Sequence, residues 1–254
     1  MRDELSAKAD RLRSLHVRGD PLVLLNVWDV ASTRMVERLG VGAIATTSTG
    51  VVASLGFEDG DSADAGEVFA AVARIASSTS LPVTADVEAG YRLDAGELVD
   101  RLLAAGAVGC NLEDTNHHGS GDAPLAGAER HAAWLASVKE AAARAGVDIV
   151  VNARTDGFLR TPDDDGVVDE AVRRGRLYLD AGADCVYPIG ANDETAVRAL
   201  VGGIDGPVNA WLRAGSPPLS RLRSLGVARV SVAAALFRAG MQAAERTATE
   251  LLRS

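Results

Sequence analysis

Two acidic residues, Asp86 and Glu88, follow the short apolar run 81–83 and precede Gly90. In a strand, residues i and i+2 point to the same face, so these two carboxylates are expected side by side. Like charges held that close repel each other unless a positive group lies between them. Mg²⁺ is the simplest such group, because it prefers oxygen ligands and keeps several waters. A solvated loop that carries two acids is the alternative interpretation of this spacing.

Eight short apolar runs predict the strands that must position these acids. They are residues 22–27, 42–47, 82–86, 108–113, 148–153, 184–188, 207–210 and 228–232. The runs are continuous rather than alternating, which is typical of parallel strands covered on both faces. Helical patterns separate them, and eight such β/α units in 254 residues predict a TIM (β/α)8 barrel. A doubly wound open sheet would need a glycine-rich phosphate turn at residues 26–29, which the sequence lacks.

The rest of the chain extends this prediction to a single domain over residues 1–254. Residues 1–18 predict an extra helix before the first strand, and residues 234–252 predict the closing helix. Three long segments that follow strands, 48–65, 114–127 and 155–167, are predicted loops. Active-site loops of a barrel lie on that side, and long ones often act as lids.

Composition narrows the classes of partner. The chain carries 26 basic and 35 acidic residues, a net charge of −9, and has no basic run, which argues against a nucleic-acid partner. No apolar stretch approaches the roughly 20 residues that span a membrane, and the charged first 20 residues lack a signal core. Cys110 and Cys185 lie in apolar segments and are expected to be reduced core residues. We therefore expect a cytoplasmic protein with no membrane partner.

Polar side chains follow most of the predicted strands. In a barrel these strand ends share one face, so the side chains converge on one site. They are Asn26, Asp29, Thr46, Thr47, Ser48, Asp86, Glu88, Asn111, Glu113, Asp114, Asn152, Arg154, Asp156, Asn209, Arg213 and Ser231. Several carboxylates around Arg154 describe a site for both a cation and an anion. Mg²⁺ held mostly through water, with a carboxylate substrate bridging it to Arg154, fits this set.

Some of these residues also have purely structural interpretations. Arg154 could close the barrel through an ion pair, and Glu113 suits a helix N-terminus. Asp114 suits a helix N-cap better than a metal site. His117 and His118 are adjacent in a glycine-rich loop, where they are either exposed or able to exchange protons near neutral pH.

Five motifs, in order along the chain, resemble the isocitrate lyase/phosphoenolpyruvate mutase superfamily. They are NVWDVAS at 26–32, SLGFED at 54–59, LPVTADVEAGY at 81–91, LED at 112–114 and ARTD at 153–156. The strongest resemblance is to its bacterial phosphonomutase-like members. It implies a TIM barrel, a homodimer or homotetramer in which the C-terminal helix is exchanged between subunits, and Mg²⁺ in a cage of carboxylates.

The resemblance also assigns roles to individual residues. The metal-shell positions are Asp59, Asp86, Glu88 and Glu113. Arg154 matches the arginine that binds the substrate carboxylate, and the amides of Thr47 and Ser48 would cradle the same group. Asn209 matches a polar position at the end of the seventh strand. Family substrates are small 2-oxo or 2-hydroxy carboxylates and phosphonopyruvate-like compounds, whose enolate Mg²⁺ stabilises as a Lewis acid.

The segment after the fourth predicted strand departs from the family. The lyases carry a Lys-Cys-Gly-His loop there, and its cysteine donates a proton; the mutases carry a lysine and an asparagine. Residues 114–121 read DTNHHGSG, with neither cysteine nor lysine. We therefore expect a phosphonomutase-like member without the lyase loop, in which His117, His118 or a water moves the proton.

Three functions are compatible with this pattern. The leading prediction is a Mg²⁺-dependent enzyme that cleaves a C–C bond, decarboxylates or hydrolyses a small 2-oxo or 2-hydroxy dicarboxylate. The second is P–C bond chemistry, as in phosphoenolpyruvate mutase or phosphonopyruvate hydrolase. The third is a noncatalytic homologue that binds small carboxylates. The metal-shell and carboxylate positions are common to all three functions and do not distinguish them. The distinction lies in the segments 114–127 and 187–190, which carry no motif that specifies a mechanism.

Overall fold

The computed structural model describes residues 2–118, 124–162 and 165–253. Within these ranges, short strands alternate with helices along the whole chain. The strands are β1 (Leu22–Leu24), β2 (Asn26–Val27), β3 (Ile44–Thr46), β4 (Val83–Asp86), β5 (Gly109–Glu113), β6 (Val150–Thr155), β7 (Cys185–Pro188), β8 (Asn209–Trp211) and β9 (Arg229–Ser231). The helices are α1 (Arg2–Ser14), α2 (Val30–Glu37), α3 (Ser48–Leu55), α4 (Ala65–Ser77), α5 (Ala95–Ala104), α6 (Ala128–Ala145), α7 (Gly157–Arg160), α8 (Val167–Asp180), α9 (Glu194–Gly203), α10 (Leu219–Ser224) and α11 (Ala235–Arg253).

The strands form a parallel ring. Six pair in the order β2-β3-β4-β5-β6-β7, and three pair in the order β1-β9-β8. β1 and β2 are the two halves of the first predicted strand, interrupted at Leu25, so this segment belongs to both sheets. On the other side, a parallel bridge between Val186 and Val208 joins the edge of β7 to the residue before β8. Counted this way the ring has eight strands, and the predicted TIM barrel is confirmed.

Strands β5 and β6 separate apolar from polar residues between the two sides of the strand ring. On β5 and β6, Leu112, Val151 and Ala153 are fully buried in the apolar core between strands and helices. The alternate residues face the barrel interior, where Asn152 bonds to Asn111 across neighbouring strands. Arg229 of β9 reaches the same asparagine from 118 positions away in sequence. The interior is therefore a polar network, and the apolar core lies outside the strand ring.

Two predicted loops contain helices. The predicted 48–65 loop begins with α3, which buries Val51 and Val52 and ends at Gly56, a left-handed residue with φ of 88°. Glycine adopts that conformation without steric cost, so it stops the helix cleanly. The predicted 155–167 loop contains the single turn α7. Of the 114–127 segment, residues 119–123 lie outside the described residues, as do 163 and 164 of the 155–167 loop.

The two predicted terminal helices are present as α1 and α11. α1 covers residues 2–14 of the predicted 1–18, and it buries Ala9 and Leu12. α11 starts one residue later than predicted, and none of its 19 residues is buried. In the described part of the chain, no helix is both long and apolar enough to cross a bilayer.

Candidate functional site

A cavity of about 160 Å³ opens at the C-terminal ends of the strands, where barrel enzymes place their chemistry. We call it the strand-end cavity. Polar and aromatic side chains from most of the strands contribute to its wall. They include Asn26, Asp59, Asp86, Asn111, Arg154, Tyr187, Trp211 and Ser231, with Thr47, Ser48 and Thr49 from the start of α3 and Arg238 from α11.

Asp86 is the central acid of this cavity. It ends β4, and its backbone N–H donates to Thr46 Oγ1 at 2.8 Å. One carboxylate oxygen receives a long bond of 3.4 Å from the Ser48 amide, and Oδ1 is buried with no partner among the described residues. Burial raises the pKa of Asp86 to about 6, against the opposing charge of Arg154. An acid with a vacant buried oxygen is suited to a cation.

Asp59 is the second acid in the wall of the strand-end cavity. It follows α3, and its Oδ2 accepts a 2.6 Å bond from Thr49 Oγ1. Its negative charge is one of the causes that raise the pKa of Asp86. The structure therefore brings together two of the four predicted metal-shell acids at the cavity surface.

Glu88 is placed differently from the prediction. It lies beyond the end of β4 with φ of 51°, so the same-face rule for strand residues does not apply to it. Its carboxylate is buried and accepts N–H bonds from Gly60, at 2.7 Å, and from Asp61. Tyr91 donates its hydroxyl to the other oxygen at 2.8 Å. Glu88 thus ties the 60–61 segment to the end of β4, next to the cavity wall.

Glu113 and Arg154 form a largely buried ion pair with a third member, Asp156. Arg154 Nη1 lies 2.6 Å from Glu113 Oε2, and its Nε and Nη2 contact the two oxygens of Asp156 at 2.6 and 2.8 Å. Burial opposes the charge of Arg154, but both carboxylates raise its pKa well above the ordinary value. Arg154 therefore makes structural ion pairs and also lines the cavity, and its role in binding a substrate stays a prediction.

The two histidines lie on the far side of Glu113. His117 Nε2 is 2.6 Å from Glu113 Oε1, and His118 Nε2 is 3.0 Å from Asp61 Oδ2. Both line a separate, open cleft with Arg130 and Trp134, and neither lines the strand-end cavity. Burial lowers the pKa of His117, but the hydrogen bond to Glu113 and the charge of that carboxylate raise it, and the net shift is upward. Proton transfer by either residue stays a prediction.

Asp114 is not the helix N-cap that the sequence suggested. It is fully buried, and the next helix in the chain, α6, begins at Ala128. Its Oδ2 accepts bonds from Arg174 at 3.0 Å and from the Tyr178 hydroxyl at 2.7 Å, and its Oδ1 accepts the Asp156 amide at 2.9 Å. Asp114 therefore holds Asp156, and through it Arg154, against helix α8.

The other predicted ligand-binding residues, Thr47, Ser48 and Asn209, differ in whether they reach the strand-end cavity. Thr47 and Ser48 sit at the N-terminus of α3, whose amides face the strand-end cavity and favour an anion there. Asn209 was predicted at the end of its strand, but it is the first residue of β8. It is buried beneath the cavity wall and donates to Ser231 Oγ at 3.1 Å. The residue of β8 that lines the cavity is Trp211, at the strand's end.

Two arginines near the site were not predicted from the sequence. Arg238, on the first turn of α11, lines the mouth of the strand-end cavity. Arg229 is completely buried inside the barrel. Arg238 lies in the predicted closing helix, and Arg229 lies in an apolar run that predicts an ordinary strand, so neither position indicates a site residue.

A (β/α)8 barrel that gathers acids and an arginine at its C-terminal strand ends is the arrangement of a barrel enzyme. Comparison with known proteins identifies the family. The family model described as phosphoenolpyruvate phosphomutase matches residues 12–252, and the chain belongs to this family. This confirms the superfamily that the five motifs indicated.

Three relatives illustrate the range of this family. A protein of Mycobacterium tuberculosis (strain ATCC 25618 / H37Rv), itself without an assigned function, is 35% identical over 235 residues, which cover 92% of this chain and 86% of that one. The 2-methylisocitrate lyase of Escherichia coli (strain K12) is 27% identical over 251 residues, covering 95% and 83%. A crystal structure of a Burkholderia cenocepacia J2315 protein, provisionally described as a phosphonomutase, is 36% identical with a TM-score of 0.87, covering 97% and 99%. The family thus includes lyases and mutases of small carboxylates.

Proposed function

We propose that this chain is a Mg²⁺-dependent lyase, decarboxylase or hydrolase that acts on a small 2-oxo or 2-hydroxy dicarboxylate. One observation carries the proposal: Asp86, with a buried oxygen that has no partner among the described residues, shares a small cavity with Asp59, Arg154 and the first residues of α3. A cation and a carboxylate are the two kinds of group that such a cavity neutralises together.

The residues present fit Mg²⁺. Asp86 and Asp59 would hold it, since both line the cavity and Asp86 Oδ1 has no acceptor role in the described protein. Among the described residues, no three His, Cys, Asp or Glu side chains form a ready ligand cluster. The ion would therefore keep several waters, as Mg²⁺ usually does. Bound there, it would supply Lewis-acid polarisation of a 2-oxo group.

Arg154 and the start of α3 would bind the substrate carboxylate. A guanidinium has five N–H donors. Three of these donors go to Glu113 and Asp156, so others remain on a side chain that lines the cavity. The Ser48 amide, now in a long 3.4 Å contact with Asp86, would turn to a better acceptor. Preorganised donors of this kind lower the energy of a developing negative charge.

We retain His117 as the proposed proton carrier, acting through Glu113. The Glu113 carboxylate contacts His117 with one oxygen and Arg154 with the other, so it links the two sides of the site. His118 holds Asp61, whose N–H binds Glu88, and we assign it a positioning role.

The proposal is tested by a pyruvate-release assay over a panel of 2-oxo and 2-hydroxy dicarboxylates at saturating Mg²⁺, together with oxalate binding by calorimetry. We expect turnover of at least one compound and oxalate binding that requires Mg²⁺. Oxalate binding without any turnover would identify the noncatalytic alternative. A protein that neither binds oxalate nor turns over any compound of the panel would contradict the proposed site.

Phosphorus–carbon chemistry is the second candidate, and one observation favours it. The B. cenocepacia protein of 36% identity is provisionally described as a phosphonomutase. Phosphorus NMR of phosphonopyruvate incubated with the protein and Mg²⁺ distinguishes it: a new phosphate or phosphoenolpyruvate signal supports this candidate, and an unchanged spectrum rejects it.

We also propose that the active form is a homodimer or homotetramer in which α11 packs on a second copy. α11 buries none of its residues within the chain, and it exposes Met241, Leu251 and Leu252. An amphipathic helix left uncovered over 19 residues is unfavourable in water. Light scattering coupled to size exclusion should give a mass of two or four chains, and a monomer at micromolar concentration would contradict this.

A further inference from the structure

Arg229 is the largest of the completely buried side chains in the described structure. It is the first residue of β9, so its guanidinium lies inside the barrel, on the side of the strand-end cavity away from solvent. Nε and Nη1 have no hydrogen-bond partner among the described residues, and the one bond it makes is not to an acid. Burying an arginine without a counter-charge is unfavourable. Its single protein contact is therefore informative.

That contact is with Asn111. Arg229 Nη2 donates to Asn111 Oδ1 at 3.1 Å, and Asn152 Nδ2 donates to the same oxygen at 2.8 Å. An asparagine amide can usually be placed in two orientations that exchange its oxygen and nitrogen. Here the reversed orientation would set the amide N–H groups of Asn111 against the guanidinium of Arg229, which can only donate. Arg229 therefore fixes the Asn111 oxygen toward the barrel interior, and Asn152 adds a second bond to that oxygen.

The other end of the amide consequently faces the strand-end cavity. Asn111 is part of the cavity wall, and its Nδ2 has no acceptor among the described residues. It pairs in register with Asp86 on one side and Asn152 on the other, two residues before Glu113 on the same strand. The N–H groups of Asn111 thus add a hydrogen-bond donor to the cavity wall. Its neighbour on β4, Asp86, can only accept hydrogen bonds when it is ionised.

We propose that Asn111 is a substrate-binding residue that donates to an oxygen of the anionic ligand, and that Arg229 and Asn152 are positioning residues that aim it. The inference rests on the proposed function, because the ligand it invokes is the small carboxylate of that site. It adds that the bound compound presents an acceptor oxygen, from a carboxylate or a 2-oxo group, toward β5.

The decisive variant is Asn111→Asp. A carboxylate at position 111 gives Arg229 a counter-charge, so the folded protein is expected to keep its thermal midpoint or to raise it. An acceptor oxygen then replaces the cavity-facing N–H groups. At saturating Mg²⁺, oxalate should bind at least about tenfold more weakly, the loss expected for one bond to a charged acceptor. Asn192→Asp makes the same amide-to-acid change outside the cavity wall and should bind oxalate like the wild type.

Arg229→Met tests the positioning role with a readout that folding alone does not move. In the wild type, the Asn111 side-chain NH₂ signals, identified by their absence in Asn111→Asp, should shift in the ¹H–¹⁵N spectrum when oxalate is added. In Arg229→Met that shift should shrink and oxalate should bind about three- to tenfold more weakly.

The outcomes separate this inference from the function it rests on. Oxalate affinity of Asn111→Asp within twofold of the wild type overturns the inference even if the wild type binds well. Weakened binding by Asn111→Asp in a protein that turns over no dicarboxylate supports the inference and rejects the catalytic proposal. A wild type that binds no oxalate rejects both.

Discussion

Two arginines face the interior of this barrel, Arg154 largely buried and Arg229 completely buried, and their surroundings are opposite in kind. Arg154, near the strand ends, contacts two carboxylates, those of Glu113 and Asp156. Arg229, nearer the other end, makes its only hydrogen bond among the described residues to the amide oxygen of Asn111. The charges around Arg154 raise its pKa, whereas burial lowers the pKa of Arg229. One barrel therefore holds an arginine bonded directly to two carboxylates and an arginine bonded to none among the described residues.

The difference indicates what each arginine is for. Arg154 belongs to a charge network that extends through Asp156 and Asp114 to Arg174 on α8, so its position is set by several strong contacts. A compensated arginine is stable without ligand, and it keeps donors for an incoming carboxylate. Arg229 has no such network among the described residues, and the contact that its guanidinium makes there is the hydrogen bond to the amide of Asn111. Substitutions at the two sites should consequently have very different effects on stability.

The largest expected effect follows from Arg154→Met. It leaves the carboxylates of Glu113 and Asp156 buried without their cation, which typically costs about 3–5 kcal/mol. The free energy of unfolding, measured by urea denaturation, should fall by that amount, and oxalate binding should disappear. Arg154→Lys keeps a charge but not the two-pronged contact with Asp156, and should be intermediate in both measurements. Wild-type stability in Arg154→Met would show that the network is not the compensation described here.

Asp156→Asn removes one of the two counter-charges and should have a smaller effect. Glu113 still pairs with Arg154, and the amide of Asn can accept one of the guanidinium bonds. We expect a loss of about 1–3 kcal/mol in the free energy of unfolding, the usual range for a weakened buried bond to a charged group. Oxalate affinity should fall less than in Arg154→Lys, since Arg154 keeps its charge. A loss as large as that of Arg154→Met would place the compensation on Asp156 alone.

The pH dependence of Mg²⁺ binding reports how burial and the charge of Arg154 together set the pKa of Asp86. Burial raises its pKa to about 6, and Arg154 is the charge that opposes this. A cation binds the ionised carboxylate, so Mg²⁺ affinity should be flat above pH 6 and fall about tenfold per unit below it. The sign for folding is the reverse: a raised carboxyl pKa makes stability decrease as pH rises from about 4 to 6.

Calorimetric Mg²⁺ titrations between pH 5 and 8 measure that midpoint. In Arg154→Lys the midpoint should stay close to 6, because the opposing charge is kept, whereas loss of that charge in Arg154→Met should move it upward. An Mg²⁺ affinity independent of pH over this range would remove Asp86 from the proposed cation site.

The sequence anticipated the parts of this comparison that depend on local pattern. Continuous apolar runs and the polar residues after them placed the eight strands and located Asp86 and Arg154 at their ends. The helix α3 was missed because residues 48–55 begin with Ser, Thr and Gly, which favour loops. The burial of Asp114 by Arg174 and Tyr178 was missed for another reason. Those partners lie 60 and 64 residues away, and no local pattern reports them.

Arg229 illustrates the same limit of local pattern at the centre of the barrel. It stands in the apolar run 228–232, which predicts a barrel strand but not the burial of its one arginine. Its partner Asn111 is 118 residues away. Only the closed ring, which places β9 opposite β5, brings the two side chains together.

The smallest expected effect on stability is therefore that of Arg229→Met. Replacing a buried unpaired charge by an apolar side chain of similar length is often neutral or stabilising. Asn111 Oδ1 keeps its bond from Asn152, so no buried acceptor is orphaned. The free energy of unfolding should change by less than about 1 kcal/mol or increase. A loss above about 2 kcal/mol would instead mean that buried water or an anion compensates Arg229. In that event both arginines are compensated, and they differ in the kind of partner that does it.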